Sequence, residues 1–359
     1  MITINELFSG IGAQVAALKR LGIEYETVGI SEIDRFAIQS YEAINGKTRN
    51  YGDISKVESL DYADLWTYSF PCTDISLAGK QDGLTDKTGK QTRSGLLFEV
   101  ERLLKKSVED RIQPKYLLLE NVKNLVGKKF KPEFDKWLKT LDSLGYNNYR
   151  KVLNAKDYGV PQNRERVFVV SIRKDVDLFG YNFPQKIELT KKLKDLLEAE
   201  VDEKFYLSED FLNYMKRKED KNYNFRVEVS DENSIRKTPI RAQGDRAVVG
   251  INTCADGTRQ TLTAHIHKES INDRTKFERH SPETGVLEIK ENTKGDCVRI
   301  RKLTPKECWR LMGFTDEEFE AAKNSGVSNT QLYKQAGNSI VVSVLAAIFK
   351  NMFLKGETK

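Results

Sequence analysis

The sequence predicts an α/β protein: a mostly parallel, doubly wound sheet followed by a smaller, irregular β-rich segment. Three observations point to this. Residues 1 to about 175 alternate strand-like runs with stretches of helical periodicity. Polar clusters stand at the ends of several of those runs, where such sheets place ligands. From about Asp175 to Gly295 the alternation gives way to polar sequence with short alternating stretches.

The elements follow in order. Residues 2–8 read as a strand and 12–21 as a helix stopped by Gly22. A strand at 25–31 leads to a helix at 34–43, and a short strand is expected at 51–54. The run 63–70 is a strand that delivers Pro71 and Cys72. The run 116–120 carries three consecutive leucines. Residues 133–144 form a helix with Gly145 just past its end. Segments 149–153 and 166–172 read as a final strand pair. Helical character returns from Arg299. There Thr304 caps a helix whose first position is Pro305, and 339–353 is a strongly apolar last helix. The chain thus divides into a catalytic and cofactor-binding part (1–175), a recognition part (176–298) and a C-terminal segment (299–359) whose helix returns to the first part.

The 359 residues are 39% hydrophobic and 31% charged, which suits a globular protein. No uninterrupted apolar run reaches the ~18 residues of a membrane span. The start, Met1-Ile2-Thr3-Ile4, has no basic segment ahead of an apolar one, so a cytoplasmic protein without membrane association is expected. The net charge of +6 leans toward polyanionic partners. Cys72, Cys254, Cys297 and Cys308 form no C-x-x-C pair, so neither a metal site nor a disulfide framework is expected.

Three clusters carry chemistry. They are Tyr68-Ser69-Phe70-Pro71-Cys72, Leu118-Leu119-Glu120-Asn121-Val122 and Gln162-Asn163-Arg164-Glu165-Arg166. A thiol, a carboxylic acid and two guanidiniums at strand ends are the parts needed to attack an electron-poor ring. The only histidines, His265, His267 and His280, lie in the second half, so a Cys-His pair within the first half is excluded. Cys72 must then draw on a positive environment. A buried structural cysteine is the ordinary alternative, which Pro71 and the polar loop after Cys72 oppose. Glu120 ends an apolar strand, where desolvation favours its protonated form. An exposed strand-end carboxylate, or a surface network around Glu165, remains open. At the amino end, Phe8-Ser9-Gly10-Ile11-Gly12 is a Gly-rich turn between strand and helix. Glu32 follows about 20 residues later, as a ribose-binding acid would. A nicotinamide oxidoreductase would share this pattern, but Val15 stands where a dinucleotide fingerprint has its third small residue.

In order and wording these segments resemble the DNA (cytosine-5)-methyltransferase family of bacterial or phage restriction-modification type. The likeness implies an S-adenosyl-L-methionine-dependent, Rossmann-like catalytic domain and a target-recognition domain. It implies double-stranded DNA as partner and base flipping, because carbons 5 and 6 of cytosine are not attackable inside the stack. S-adenosyl-L-homocysteine would be the product. A restriction endonuclease acting on the same site without stable contact is a further partner, and the enzyme is expected to be a monomer.

The resemblance assigns residues as follows. Cys72 adds to carbon 6, Glu120 protonates N3, Arg166 holds O2, and Pro71 and Asn121 shape the site. Phe8, Gly10, Ile11 and Gly12 wrap the methionine half of the cofactor. Glu32 takes the ribose, Ile33 lies against the adenine where many members place an aromatic ring, and Asp53 and Ile54 read its edge. Leu96, Asn338 and Ser339 complete the cofactor site. Without the likeness Asp53 would read as a helix cap, and Gly337-Asn338-Ser339 as a helix start. Ser76 is expected at the DNA and Arg164 there or in support of its local turn, with Thr261 and Leu262 anchoring the recognition domain and Arg236 and Arg241 meeting phosphates. The glycine-punctuated loop 73–93 would close over the flipped base, with Thr73 where glutamine is usual. Residues 301–314 and 335–341 match the ninth and tenth motifs. A tRNA methyltransferase on the same scaffold and a catalytically silent DNA binder are the remaining alternatives.

Overall fold

A computed structural model describes residues 1–76, 82–86, 88–206, 227–230, 236–237, 245–253, 259–267, 285–292 and 295–354, with side chains described outside 227–300. The strands in chain order begin with β1 (Ile2–Leu7), β2 (Tyr25–Ser31), β3 (Leu65–Tyr68), β4 (Tyr116–Val122), β5 (Tyr146–Asn154), β6 (Gln162–Asn163) and β7 (Glu165–Arg173). Helices α1 (Ala13–Arg20), α2 (Arg35–Asn45), α3 (Leu97–Glu109) and α4 (Lys131–Ser143) alternate with them.

Six of these strands form one sheet in the order β2-β1-β3-β4-β7-β5. Strands β1 to β4 run parallel, β7 runs against β4, and β5 runs against β7. The sheet is covered on both faces, as parallel strands require. Leu118 and Phe168 point with Ile4 toward α1, while Leu117, Leu119, Val167 and Val169 point to the opposite face with Trp66 and the helices α3 and α4. The strand order reverses between β1 and β3. In an open α/β sheet this is where the crevice for ligands lies, and here the Gly-rich turn and Cys72 follow those two strands.

A second sheet contains β8 (Val227–Ser230), β10 (Asp245–Thr253), β11 (Arg259–His267), β12 (Gly285–Asn292) and β13 (Gly295–Lys302) in the order β12-β13-β10-β11-β8. Strand β9 (Arg236–Lys237) pairs instead with β6, Gln162 opposite Arg236. The chain closes with α5 (Pro305–Leu311), α6 (Asp316–Asn324), α7 (Asn329–Asn338) and α8 (Val342–Phe353). The stretch Asn329–Phe353 is long and apolar enough to cross a membrane by composition alone. It breaks into α7 and α8, and Val344, Leu345, Ile348 and Phe349 of α8 are buried in the same core cluster as α1.

Several expectations need correction. Residues 51–54 form no strand; a single bridge joins Ile30 to Asn50, and a short 3-10 turn occupies Ile54–Lys56. Gly337-Asn338-Ser339 ends α7 rather than starting a helix, with Ser339 as the C-cap. Strand β13 continues to Lys302, past the expected return of helix at Arg299. Residues 176–206 add Tyr181, Leu193 and Leu196 to the first core. Helix α3 went unread, although Leu97, Val100, Leu103, Leu104 and Ser107 bury one face at helical spacing.

The second sheet is tied to the C-terminal helices by one buried ion pair. Arg301 of β13 reaches Glu307 of α5 with both terminal nitrogens at 2.9 Å, and their side chains are 2% and 0% exposed. Glu307 also accepts the backbone N–H groups of Thr304 at 2.7 Å and Glu198 at 2.8 Å. Thr304 completes a capping box for α5. Arg301→Met leaves this carboxylate buried without its cation and is expected to cost about 3–5 kcal/mol in urea unfolding. Arg301→Met/Glu307→Gln, which keeps an acceptor for the Thr304 and Glu198 N–H groups, should recover part of that loss; a single-variant loss below about 1 kcal/mol would show the pair to be dispensable.

Candidate active site

The parallel strands end level with one another. Ser31 pairs with Leu7, Leu7 with Tyr68, and Tyr68 with Leu119. Glu32, the Phe8–Gly12 turn, Cys72 and Glu120 therefore leave the sheet side by side, although Phe8 and Glu120 are more than a hundred positions apart.

At the β1 end the backbone turns sharply. Phe8 has φ 60°, a left-handed value that costs a side-chain-bearing residue energy. Gly10 and Gly12 follow with φ 57° and 81°. A Cβ on Gly12 would stand 2.9 Å from the Tyr41 ring, so only glycine fits the approach of α1 to α2. The Glu32 carboxylate gathers this turn by accepting Gly10 N–H at 3.0 Å and the N–H groups of Ile33 and Asp34 at 2.8 Å each. Beside it Ile33 is 73% exposed, an apolar surface standing open next to an acid. The Ser9 hydroxyl is buried without a hydrogen-bond partner. A cofactor with a cationic methionine, a ribose diol and a flat apolar base fits these groups.

Two cofactor assignments narrow. Ile54 is turned into the core, and its carbonyl accepts from Arg102 at 3.2 Å, which leaves little of it for an adenine edge. The Ile11 side chain is buried as well, so it can offer only backbone. Asp53 caps the 3-10 turn by accepting Ser55 N–H at 3.0 Å, the structural role its sequence also allowed. Asn50 went unnoticed. Its carbonyl oxygen accepts Glu32 N–H at 3.2 Å and Gly52 N–H at 2.8 Å, and its amide donates to Glu32 O at 3.0 Å. An asparagine two residues before a glycine was the available signal. Leu96 is half-buried at the start of α3, Asn338 is exposed, and Ser339 is buried. Gln335 of α7 joins α2 by donating to Phe36 O at 2.8 Å, which brings this end of the chain to the Glu32 side.

Cys72 is half-buried beyond β3. The Ser76 and Ile75 N–H groups donate to its carbonyl at 2.8 and 3.1 Å, so the chain makes a helical turn there. Asn121 fixes the approach by donating to Phe70 O at 3.0 Å while accepting Val122 N–H at 2.8 Å. Ser94, also unread, donates to Pro71 O at 2.7 Å and exchanges hydrogen bonds with Asp74. Glu120 is buried, and Arg166 Nε lies 3.1 Å from its Oε1. Burial pushes the Glu120 carboxyl up, against the pull of Arg166 and Arg164. Burial and the Glu120 charge also push the Cys72 thiol up, and the two arginines oppose them. The positive surroundings expected at Cys72 are present, yet at rest they are outweighed.

Of the two roles expected for Arg164, its contacts are those of local support: it is 4% exposed and donates to Ser339 O at 2.7 Å and Gly337 O at 3.2 Å, the carbonyl end of α7. Its Nε and remaining terminal nitrogen have no partner, and burial lowers its pKa to about 9, with Arg166 adding to the effect and Glu120 and Cys72 opposing it. Ser76 lies at the edge of the described loop, Thr261 and Leu262 lie in β11 opposite Ile251 and Gly250, and Arg236 lies in β9. Arg241, Cys254 and His280 lie outside the described residues, as do 77–81 and 87 of the expected lid.

A doubly wound sheet whose level strand ends carry a cysteine, a buried acid and two arginines defines a nucleophilic group-transfer enzyme. A family model described as C-5 cytosine-specific DNA methylase matches residues 2–354. A type II methyltransferase of Lactococcus lactis subsp. cremoris, M2.ScrFI, is 36% identical over 98% of this chain and 99% of its own. The orphan methyltransferase M.SPBetaI of Bacillus phage SPbeta is 32% identical over 98% and 97%. The S. pombe Dnmt2 methyltransferase structure shares the fold at a TM-score of 0.65 and 18% identity, covering 100% of both chains. The chain belongs to the C-5 cytosine-specific DNA methylase family, and its reaction is methylation of DNA cytosine at carbon 5. The family implies S-adenosylmethionine use, and it does not favour the tRNA or nicotinamide alternatives.

Beneath the cofactor turn Glu6 is fully buried, hydrogen-bonded to the Tyr41 hydroxyl, and pushed up to about 7 from 4.5 chiefly by burial. Between those values the folded protein holds a proton that the unfolded chain has released. This contribution to stability is therefore full below pH 4.5 and lost as pH rises through about 7, a change of about 3 kcal/mol. Glu6→Gln should flatten urea-unfolding stability across that window; an unchanged slope would put the carboxyl's folded value near its free one.

Proposed function

We propose that the protein flips a target cytosine out of duplex DNA and adds the Cys72 thiolate to carbon 6, with Glu120 and Arg166 as its acid and anion-holding groups. What carries this reading is the buried Glu120–Arg166 pair, 3.1 Å apart and electrostatically linked to Cys72. S-adenosyl-L-methionine, held by the Phe8–Gly12 turn, Glu32 and Ile33, supplies an electrophilic methyl group and leaves as S-adenosyl-L-homocysteine.

This chain's residues do the rest. The thiolate is disfavoured while Glu120 is ionised, so uptake of a proton by Glu120 lowers the cost of forming it. As sulfur bonds to carbon 6, Glu120 gives that proton to N3, and Arg166 faces the charge developing at O2. Carbon 5 is then an enamine carbon able to take the methyl group. A base, which solvent can supply, takes the carbon-5 proton as the sulfur–carbon bond breaks and Cys72 leaves as thiolate, and Glu120 takes back the N3 proton, which restores the neutral ring. Asn121 and Ser94 hold Phe70 and Pro71, and so hold the nucleophile in place.

The recognition sheet around β10 and β11, with Thr261 and Leu262, reads the duplex. Arg236, Arg241 and Ser76 serve its backbone, and the loop after Cys72 closes over the base. Residues 1–175, with 176–206 packed into the same core, are the catalytic part, the segment onward to 298 the recognition part and 299–359 the returning segment. The enzyme works as a monomer in the cytoplasm of a bacterial or phage-infected cell. A restriction endonuclease sharing its site is the natural counterpart.

The test is methyl transfer from labelled S-adenosylmethionine to mixed-sequence duplex DNA with base-resolution mapping. Cys72→Ser is expected to abolish turnover and covalent trapping on 5-fluorocytosine DNA while DNA binding largely survives; normal turnover in this variant would end the mechanism. Transfer to tRNA alone would move the substrate to RNA. Glu120→Gln should lower kcat by about 10²–10⁴-fold with a smaller change in DNA affinity. An unchanged rate removes Glu120 from the acid role.

A further inference from the structure

The edge strand β5 runs toward the same side of the sheet as the catalytic strand ends. Glu120 pairs with Phe168, and Phe168 with Lys151, so Lys151 lies two strand spacings of ~4.8 Å from Glu120, on the same face. Where β5 turns into the next short helix there is a recess of about 260 Å³, lined among others by Lys151, Asn154, Lys156 and Lys186. Its carboxylates are already matched: Asp157 pairs with Lys186 at 2.9 Å, and Glu165 with Lys123 at 2.9 Å. Lys151 and Lys156 form no ion pair among the described residues. The recess therefore carries about two uncompensated positive charges. It adjoins the two-stranded β6–β9 pairing, since Asn154 donates to Asn163 at 2.6 Å and Asn163 pairs with Lys237.

We propose that this recess binds the phosphodiester backbone of the substrate DNA, beside the nucleotide that enters the active site, with Lys151 and Lys156 as the phosphate ligands. A single pair of mobile lysines on a polar floor suits a phosphate, which asks for charge without a fixed fork geometry. Nearness to Glu120 and Arg166 places such a phosphate within a few nucleotides of the target cytosine. The site adds affinity and register and carries no sequence information. The inference rests on the DNA-methylating reading, yet its test does not depend on methyl transfer.

Duplex affinity of the full-length protein is measured by fluorescence anisotropy across a salt series. Each phosphate contact contributes about 0.9 to the slope of log K against log salt. Lys151→Gln/Lys156→Gln should make that slope shallower by about 1–2 and weaken binding at least tenfold at low salt, similarly for unrelated sequences. Lys151→Arg/Lys156→Arg should restore it. A slope unchanged by the glutamine pair overturns the site, whether or not the wild-type protein methylates DNA. A loss confined to one sequence would overturn it too, because that is base reading.

Discussion

A guanidinium sealed inside the protein constrains the whole site. Arg164 is removed from water, satisfied on one nitrogen by the carbonyl end of α7, and left with two nitrogen positions unpaired. Such a charge is costly unless negative charge lies near. Glu120 and Cys72 are the groups that favour it. The charged forms of the same two groups are disfavoured by burial, which the arginines offset only in part. The charge states of Glu120, Cys72 and Arg164 therefore depend on one another. Ionised Glu120 with a neutral thiol carries the same net charge as neutral Glu120 with a thiolate. A proton can shift between these forms without changing the charge that Arg164 and Arg166 must balance.

The anchoring of Arg164 also explains how distant segments meet. Its contacts to Gly337 and Ser339 span more than 170 positions and bring the end of α7 against the catalytic edge. From the other side Gln335 and Lys334 tie α7 to α2 and Asp34, just beyond Glu32. One helix thus joins the cofactor end to the nucleophile end across the switch point of the sheet. The left-handed Phe8 sits in that crevice and is held by its N–H bond to Ser31 O at 2.8 Å. Strain of this kind persists where surrounding contacts over-determine it.

The sheet was legible because strands buried on both faces read as apolar runs, and because the clusters at their ends are polar where the runs stop. Cys72, Glu120 and Arg166 were legible for the same reason. What remained hidden was what side chains do over long range. Asn50, Ser94 and Asp74 work through hydrogen bonds to backbone up to 23 positions away, and a lone polar residue in a loop announces no partner. Arg164 and Arg166 are two apart and chemically alike in the sequence. Only the fold sends one into the core and the other to the Glu120 carboxylate. Gly337-Asn338-Ser339 is ambiguous for a local reason, since small polar residues suit either end of a helix. The burial of Ile11 and Ile54 was equally unreadable, because a β-branched residue beside a ligand turn serves core and ligand alike.

A separate two-stranded pairing lies beside the site. Strand β9 of the recognition segment adds to β6, and β6 contains Gln162, which is fully buried with neither amide atom hydrogen-bonded. Arg164 follows two residues later. A second tie, Arg301 to Glu307, fixes the other end of the recognition segment to α5. An unsatisfied buried amide and an under-satisfied guanidinium are the groups with most to gain from a new partner. Both groups lie two residues apart on one short piece of chain, between the β6–β9 pairing and the carbonyl end of α7.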